Sequence, residues 1–291
     1  MIEHIISFDA WLSSTPGKYL LEWEQMRMDK AVEDLFGYHA IQLGQPKLDG
    51  LKNNRIPHRW LLAEQESVFD KIDQLTQEKT AATTISMSHD ATAIPTEQVC
   101  INSSRQPDLV CHFSALPFPE QSIDLVVMPH TLNLVDAPHA TLREVQRVLV
   151  PEGHLVITGF NPTSLWGLKQ KRMYFLQRLG MHKTFLPFPP SAMIGYWRLR
   201  DWLKLLNLEI VAGHFGCYRP AFKTNKWLER CAWMEHSGDR WWPILGAAFE
   251  LTAVKRVSGM RLVGRPAWKK KRLKTKGASI AAQRSPKKGS Q

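Results

Sequence analysis

The stretch from Ile123 to Phe160 decides the fold: IDLVVMPHTLNLVDAPHATLREVQRVLVPEGHLVITGF. It begins with a short apolar run, Ile123 to Met128, whose β-branched side chains are typical of a strand covered on both faces. A second apolar run, Leu155 to Ile157, follows after an amphipathic segment. Two such runs around one helix predict a right-handed βαβ unit with parallel strands. Because ligands bind at the carboxyl ends of such strands, we expect a ligand-facing loop at Pro129 to Asn133.

The helix of this unit is predicted to begin with Asp136 as its N-cap and Pro138 in its first turn, where the missing N–H of proline costs little. Leucine and valine side chains then recur on one face of the helix, which favours packing against a sheet. We expect Pro151 and Gly153 to end the helix before the second strand begins.

Composition predicts a globular chain. The 291 residues are 44% hydrophobic, which is enough for a substantial core. No apolar segment is long enough for a signal peptide or a transmembrane helix. The four cysteines form no CxxC pair, and the 11 histidines show no HExxH spacing. We therefore predict a cytoplasmic protein with no membrane span and no metal.

Most of the net charge of +11 comes from the last residues of the chain. Residues 266–291 contain nine Lys or Arg residues and no Asp or Glu. Such a segment is too polar and too repulsive to form a core, so we predict a disordered basic tail. Two interpretations stay open: an arm that binds RNA or another polyanion, and a solvated terminus that aids solubility.

Two further strand-like runs precede the βαβ unit. His39 to Leu43 ends at Gly44, and Arg59 to Ala63 ends at Glu64. A glycine at one strand end, with an acid about twenty residues later at the next, is the arrangement that lets a carboxylate accept hydrogen bonds from a ribose.

The N-terminal part predicts a helix that starts at Thr15-Pro16 and ends at about Leu35. Its apolar face is expected to include Leu20, Leu21, Trp23, Met26 and Val32. This helix either covers one edge of a ligand pocket or only packs against the domain.

Four pieces between Asp108 and Pro162 resemble, in order and spacing, the class I S-adenosylmethionine-dependent methyltransferases of the type 11 group. They are Ala115-Leu116-Pro117-Phe118, Ile123-Asp124-Leu125-Val126-Val127, the helix from Leu142 to Leu149, and Pro151-Glu152-Gly153-His154-Leu155-Val156-Ile157. Leu199 to Val211 resembles the family's helix and sixth strand, and Ala247 to Val254 its seventh strand. The whole chain also resembles an uncharacterised bacterial subgroup of the family, through stretches such as Phe36-Gly37-Tyr38-His39, Gly159-Phe160-Asn161-Pro162 and Asp239-Arg240-Trp241-Trp242.

The resemblance implies an α/β fold with three Rossmann-like layers, in which a seven-stranded, mostly parallel sheet has an antiparallel last strand. It divides the chain into a helical cap at 1–35, a methyltransferase-like domain at 36–265 and the basic tail at 266–291. Within the domain, 67–107 is a polar insertion, and 161–198 and 219–243 are lid or acceptor-binding insertions.

The resemblance also implies S-adenosyl-L-methionine as the cofactor. Its residues would be Gly44 of the first motif, the ribose-binding Glu64, Ala115 and Leu116 of the adenine-side loop, and Pro129 nearest to the methyl group. His112 stands before that loop in place of the acid usual in the family, and it is a further candidate for cofactor binding. The sequence departs from the family at Leu43-Gly44-Gln45-Pro46, where the usual glycine-rich loop is reduced, and the helix after this loop looks stunted.

His130 is the candidate general base, because an imidazole titrates at about pH 6.5 and the His130 side chain follows a buried strand at the expected ligand edge. The alternative is a structural histidine. The aromatic segment 161–198 is open to three interpretations: a pocket for a flat or lipid-like molecule, a surface for RNA, and a packed lid.

The resemblance favours methyl transfer to an unidentified acceptor, preferably a small molecule. Two alternatives remain: a catalytically inactive methyltransferase-like binding protein, and an RNA-binding protein or RNA methyltransferase that uses the basic tail.

Overall fold

The structure, a computed structural model, describes residues 8–64, 105–179, 185–222 and 225–257. The helices are α1 Phe8–Leu12, α2 Thr15–Val32, α3 Thr131–Leu134, α4 Pro138–Val148, α5 Leu165–Arg178, α6 Tyr196–Leu205, α7 Asn225–Arg230 and α8 Trp233–Trp241. The strands are β1 His39–Leu43, β2 His58–Glu64, β3 Leu109–Cys111, β4 Ile123–Pro129, β5 Leu149–Phe160, β6 Leu208–Gly216 and β7 Ala248–Lys255. Short 3-10 helices lie at Pro190–Ala192 and Pro243–Leu245.

The strands form one seven-stranded sheet in the order β3-β2-β1-β4-β5-β7-β6. The pairs from β3 to β5 are parallel, whereas β7 runs antiparallel to both β5 and β6. This confirms the predicted α/β fold with its antiparallel last strand. The order of the strands reverses between β1 and β4, and ligands of such sheets bind at the carboxyl ends of the strands at this reversal.

Successive side chains of β4 point to opposite faces of the sheet and pack against a helix on each face, which gives three layers. Leu125 and Val127 pack into a cluster with Met28 of α2 on one face of the sheet. Val126 and Met128 belong to a second cluster, which contains Leu142 of α4, on the other face. Because both faces are buried, β4 is apolar from Leu125 to Met128, which is why its sequence is so easily recognised as a central strand.

The boundary between α4 and β5 differs from the prediction. Ala137 is the N-cap of α4, not Asp136. Pro151 and Gly153 do not separate helix from strand, because β5 begins at Leu149, directly after the helix. The pairing of β4 with β5 shifts in register here, and a proline is tolerated in such an irregularity because fewer ladder hydrogen bonds depend on it.

Helix α2 is confirmed, and its inward face differs from the predicted one at Met26 and Glu24. Ser14 is its N-cap and accepts a hydrogen bond from the backbone N–H of Gly17, at 3.4 Å. Met26 is 51% exposed, whereas Glu24 is fully buried. Glu24 follows Leu20 and precedes Met28 by one helical turn each, so it lies on the buried stripe.

No helix lies between β1 and β2 in the structure, where residues 44–57 form a series of turns. The predicted polar insertion at 67–107 falls almost wholly outside the described residues, and the basic tail at 266–291 lies entirely outside them. Within the described ranges, no helix is both long and apolar enough to cross a membrane.

Candidate functional site

The loop after β1 begins with two left-handed residues. Gly44 has a φ of 75° and Gln45 a φ of 49°. The Gly44 N–H donates to the carbonyl oxygen of Leu62 in β2, at 2.8 Å. A glycine adopts this conformation without the steric cost that other residues carry. The turn therefore leaves the sheet at the carboxyl ends of β1 and β2, where the sequence predicts the cofactor.

The loop after β1 takes the place of the expected helix, and the side chain of Gln42 fixes its course. Its Nε2 lies within donating distance of the carbonyl oxygens of Gly44 (3.2 Å), Gln45 (3.0 Å) and Leu48 (2.6 Å). Its Oε1 accepts from the N–H of Gly50, at 2.9 Å. Gln42 is buried, so these bonds are shielded from water and fix the course of the loop.

Gln45 supplies an unsatisfied donor at the same edge. Its side chain is 5% exposed, and its Nε2 has no hydrogen-bond partner among the described residues. A buried amide without a partner costs free energy and is a reason to look for a ligand. The sequence pattern had only marked Gln45 as a departure from the glycine-rich loop.

Glu64 ends β2 with its carboxylate directed towards the next strand. The carboxylate accepts from the backbone N–H of Phe113, at 3.2 Å for the closer oxygen, and lies 3.3 Å from Nδ1 of His112. The Glu64 side chain is 21% exposed and that of His112 is 49% exposed. An ionised carboxylate only accepts hydrogen bonds, so Glu64 places acceptor oxygens at this edge.

The predicted adenine-side loop follows β3. The N–H of Leu116 donates to Oε1 of Glu144 in α4, at 3.0 Å, while Ala115 is exposed. Arg147 forms an ion pair with Glu144 at 2.6 Å and also donates to the Leu116 carbonyl oxygen, at 3.2 Å. The hydrogen bond from Arg147 holds the pKa of the Glu144 carboxyl below its ordinary value. Glu144 and Arg147 thus fasten this loop to helix α4.

Pro129 and His130 lie at the carboxyl end of β4, as predicted. His130 has a φ of 53° and precedes α3, and its N–H donates to the Thr158 carbonyl oxygen at 3.2 Å. Its side chain is fully buried. The ring stacks on Phe160 with centroids 4.4 Å apart and meets the ring of Phe8 edge to face, at 5.5 Å.

The buried partner of His130 comes from α2. Nε2 of His130 lies 2.6 Å from Oε1 of Glu24, and both side chains are fully buried. This is ion-pair distance, but the angles are not those of a hydrogen bond. The Nδ1 of His130 has no hydrogen-bond partner among the described residues. Glu24 was not predicted from the sequence, although an acid on a leucine and methionine stripe at helical spacing is a signal for such a residue.

A second buried carboxylate lies nearby under the same helix. Glu250 in β7 is 1% exposed and lies 3.5 Å from a guanidinium nitrogen of Arg27 in α2. It also lies 3.0 Å from Nδ1 of His214 and accepts from the hydroxyl of Thr252, at 2.8 Å. Unlike the carboxylate of Glu24, that of Glu250 lies next to a guanidinium, an imidazole and a hydroxyl group. Such partners are the usual condition for burying a charge.

Aromatic side chains fill the space beyond the carboxyl ends of β4 and β5. Their cluster includes Trp11, Phe160, Trp166, Phe188 and, at its edge, Phe185. Nε1 of Trp166 donates to the Arg219 carbonyl oxygen at 2.7 Å, so the insertions 161–198 and 219–243 contact each other. Of the three interpretations of the aromatic segment, the packed lid describes these buried side chains. No group of three or more metal-ligating side chains lies close together in the described part of the chain.

Comparisons with known proteins place part of this sequence. Residues 72–157 match the family described as methyltransferase domain. The uncharacterized protein YafS of Escherichia coli is 41% identical over 96 residues, which are 33% of this chain and 37% of that protein. A malonyl-[acyl-carrier protein] O-methyltransferase of Halorhodospira halophila is 38% identical over 66 residues, 22% of each chain. The matches thus span well under half the length of these relatives.

Among solved structures, a chain from the complex between the Haloferax volcanii Trm112 methyltransferase activator and a methyltransferase is similar over most of its length. It is 16% identical, with a TM-score of 0.48, and the match covers 87% of this chain and 98% of that one.

Proposed function

We propose that this chain, which matches the methyltransferase-domain family at residues 72–157, is a class I methyltransferase that transfers a methyl group from S-adenosylmethionine to a small-molecule acceptor. The observation that carries the proposal is the meeting of Gly44 and Glu64 at the carboxyl ends of two neighbouring parallel strands. Gly44 turns the chain away from the sheet at a positive φ, and the partly exposed carboxylate of Glu64 ends the neighbouring strand. This is the geometry that a ribose and its attached chain require.

The residues present fit such a cofactor. Glu64 would accept hydrogen bonds from the ribose hydroxyls, and the unpartnered amide of Gln45 would donate to the carboxylate of the methionine part. Ala115 and Leu116 would line the adenine side, with His112 at its rim. Pro129 would lie nearest to the reacting centre. The bound cofactor supplies an electrophilic methyl group, so the protein needs mainly to orient the acceptor and exclude water.

His130 is proposed as the base that takes a proton from the acceptor, with Glu24 as the residue that positions it. A carboxylate on Nε2 fixes the ring and leaves Nδ1 as the atom that accepts the proton. The ring is fully buried and packs against Phe8 and Phe160, so an acceptor would reach Nδ1 only after these side chains open. Loop and lid motions that open and close a site are common in enzymes.

The burial of His130 also favours a second candidate function. A protein that keeps the fold and binds the cofactor, but transfers nothing, would have no need of an accessible base. In that case the contact between Glu24 and His130 serves only to attach α2 to the sheet. The two candidates differ in turnover and agree in cofactor binding.

Calorimetric titration with S-adenosylmethionine and S-adenosylhomocysteine tests the cofactor site. Glu64→Gln keeps the shape of the side chain and one acceptor oxygen but removes the negative charge. Hydrogen bonds to charged groups contribute about 1 kcal/mol more than neutral ones, so two ribose hydroxyls predict a loss of about 2 kcal/mol, or roughly thirtyfold in Kd. The exposed Glu33→Gln is the matched control and should bind as the wild type does. If the wild type binds neither compound, the proposed function is wrong.

Turnover separates the two candidates. Purified protein and a radiolabelled methyl donor are incubated with fractionated small molecules and, separately, with RNA. His130→Asn retains a residue type that tolerates the left-handed backbone, so it should fold, bind cofactor and lose most of its turnover. Glu24→Gln should shift the pH profile of turnover, which a purely structural role would not do. Cofactor binding without labelled product in any fraction would support the non-catalytic candidate, and label in RNA would replace the small-molecule acceptor.

A further inference from the structure

Helix α5 has its apolar residues on the side away from the protein. Its inward side is formed by Trp166, which is 1% exposed, and by Gln170, whose amide bonds the backbone of Leu186 and Phe188. On the outward side lie four large apolar side chains with exposed fractions of 50 to 66%: Leu165, Leu168, Phe175 and Leu179. They recur at the three- and four-residue spacing of a single helical stripe. A surface helix ordinarily has a polar outward face, so this one is the reverse of the expected pattern.

The charged residues on this side of α5 are all basic. Lys171 and Arg172 are exposed and lie three or four positions from both Leu168 and Phe175, so they flank the apolar stripe. The sequence contains no Asp or Glu from Gly153 to Arg200. A partner of this surface must therefore offer an apolar layer and negative charge together.

Further exposed apolar side chains lie in a turn near the start of α5. The amide of Asn161, just before the helix, donates to the carbonyl oxygens of Ile244 (2.6 Å) and Gly246 (3.0 Å). This places the 3-10 helix Pro243–Leu245 next to the helix. Ile244 and Leu245 are each 46% exposed, and Trp242 is 56% exposed. Tryptophan is enriched where proteins meet the interface of a bilayer.

We propose that the outward face of α5, together with the turn at Ile244, docks on the surface of an anionic lipid bilayer. The aliphatic side chains enter the boundary between headgroups and acyl chains, while Lys171 and Arg172 extend along them towards lipid phosphates. RNA fits this surface less well, because leucine side chains offer no face on which a base can stack. A second copy of the chain also fits less well, because a symmetric contact would bring the same basic residues together.

Vesicle co-sedimentation of the full chain tests the docking surface. The wild type is expected to bind vesicles of phosphatidylcholine mixed with phosphatidylglycerol and to bind pure phosphatidylcholine much more weakly. Lys171→Gln with Arg172→Gln should weaken binding to anionic vesicles about thirtyfold, since each basic residue near such a surface contributes about 1 kcal/mol. Leu168→Ser with Phe175→Ser should weaken binding as well. All four side chains are exposed, so folding should be unaffected.

Two matched variants control for charge and apolar surface elsewhere. Lys52→Gln with Arg55→Gln removes two exposed basic residues from the loop after β1, and Leu205→Ser removes a side chain that is 82% exposed on α6. Both should bind as the wild type does. The basic tail is present in every variant, so a difference between them reports on α5. The proposal is overturned if anionic vesicles are not bound, or if the α5 variants bind them no more weakly than the controls. It is also overturned if those variants abolish binding of RNA or self-association while vesicle binding is unchanged.

Discussion

A double-mutant cycle on Glu24 and His130 tests how the N-terminal helices are held on the sheet. Both side chains are fully buried, with Oε1 and Nε2 2.6 Å apart. Removal of one partner leaves the other polar group in apolar surroundings. We therefore expect Glu24→Leu and His130→Leu each to lower the free energy of unfolding by about 3–5 kcal/mol. The double variant leaves neither group behind and should lose clearly less than the sum, with a coupling energy of about 2 kcal/mol or more.

The cycle also cancels the backbone strain that His130→Leu introduces. His130 has a left-handed φ of 53°, a conformation in which leucine is strained. The single and the double variant that carry His130→Leu share this strain, so it cancels in the coupling energy. Urea unfolding at neutral pH, with linear extrapolation, measures the four free energies. The exposed pair Arg200 and Asp201, whose side chains are 47% and 67% exposed, is the control and should couple by less than about 1 kcal/mol. If the effects at Glu24 and His130 add within about 0.5 kcal/mol, the contact contributes nothing and the reasoning is refuted.

Two further predictions concern stability. A Cβ on Gly216 would lie 2.1 Å from Nε1 of Trp23, so Gly216→Ala should cost about 1–3 kcal/mol or more. A Cβ on Gly44 would make only ordinary contacts, the nearest at 3.7 Å from the Phe113 ring, so Gly44→Ala should lose only about 1 kcal/mol through its positive φ. Equal losses in thermal unfolding would contradict this contrast. Arg147 lowers the pKa of Glu144, so the folded state binds fewer protons there. Glu144→Gln should therefore destabilise at about pH 7, with an effect that disappears as pH falls through the lowered pKa.

The sheet could be predicted from the sequence because its central strands are buried on both faces. Ile123 to Met128 is apolar apart from Asp124, and a short run of this kind that contains β-branched residues is typical of a buried strand. The resemblance to class I methyltransferases, drawn from the pieces around this strand, is confirmed by the family match at residues 72–157. The boundary at Pro151 was wrong, since a register shift between strands lets a proline lie inside one of them. Such shifts depend on the neighbouring strand and leave no local signal.

The candidate site could be predicted only in part, for a similar reason. Gly44, Glu64 and Pro129 each end a strand, and strand order then brings them to one edge. Glu24 comes from a helix far away in the sequence, and only tertiary packing places it beside His130. The assignment of Met26 to the apolar face of α2 failed because a helix with acids on several sides has more than one plausible inward direction. The roles of these residues in catalysis stay predictions.

The four contacts of Gln42 have a consequence for how a ligand would be received. A glycine-rich loop is commonly ordered by the ligand that it surrounds, and the lost conformational entropy then weakens binding. Here one buried amide already fixes the turns after β1 through backbone groups from Gly44 to Gly50. The entropy of that segment is lost during folding, so a ligand would meet a preorganised edge. A loop that is fixed in this way needs few glycines. The short Gly44-Gln45-Pro46 turn is therefore not in itself evidence that ligand binding has been lost.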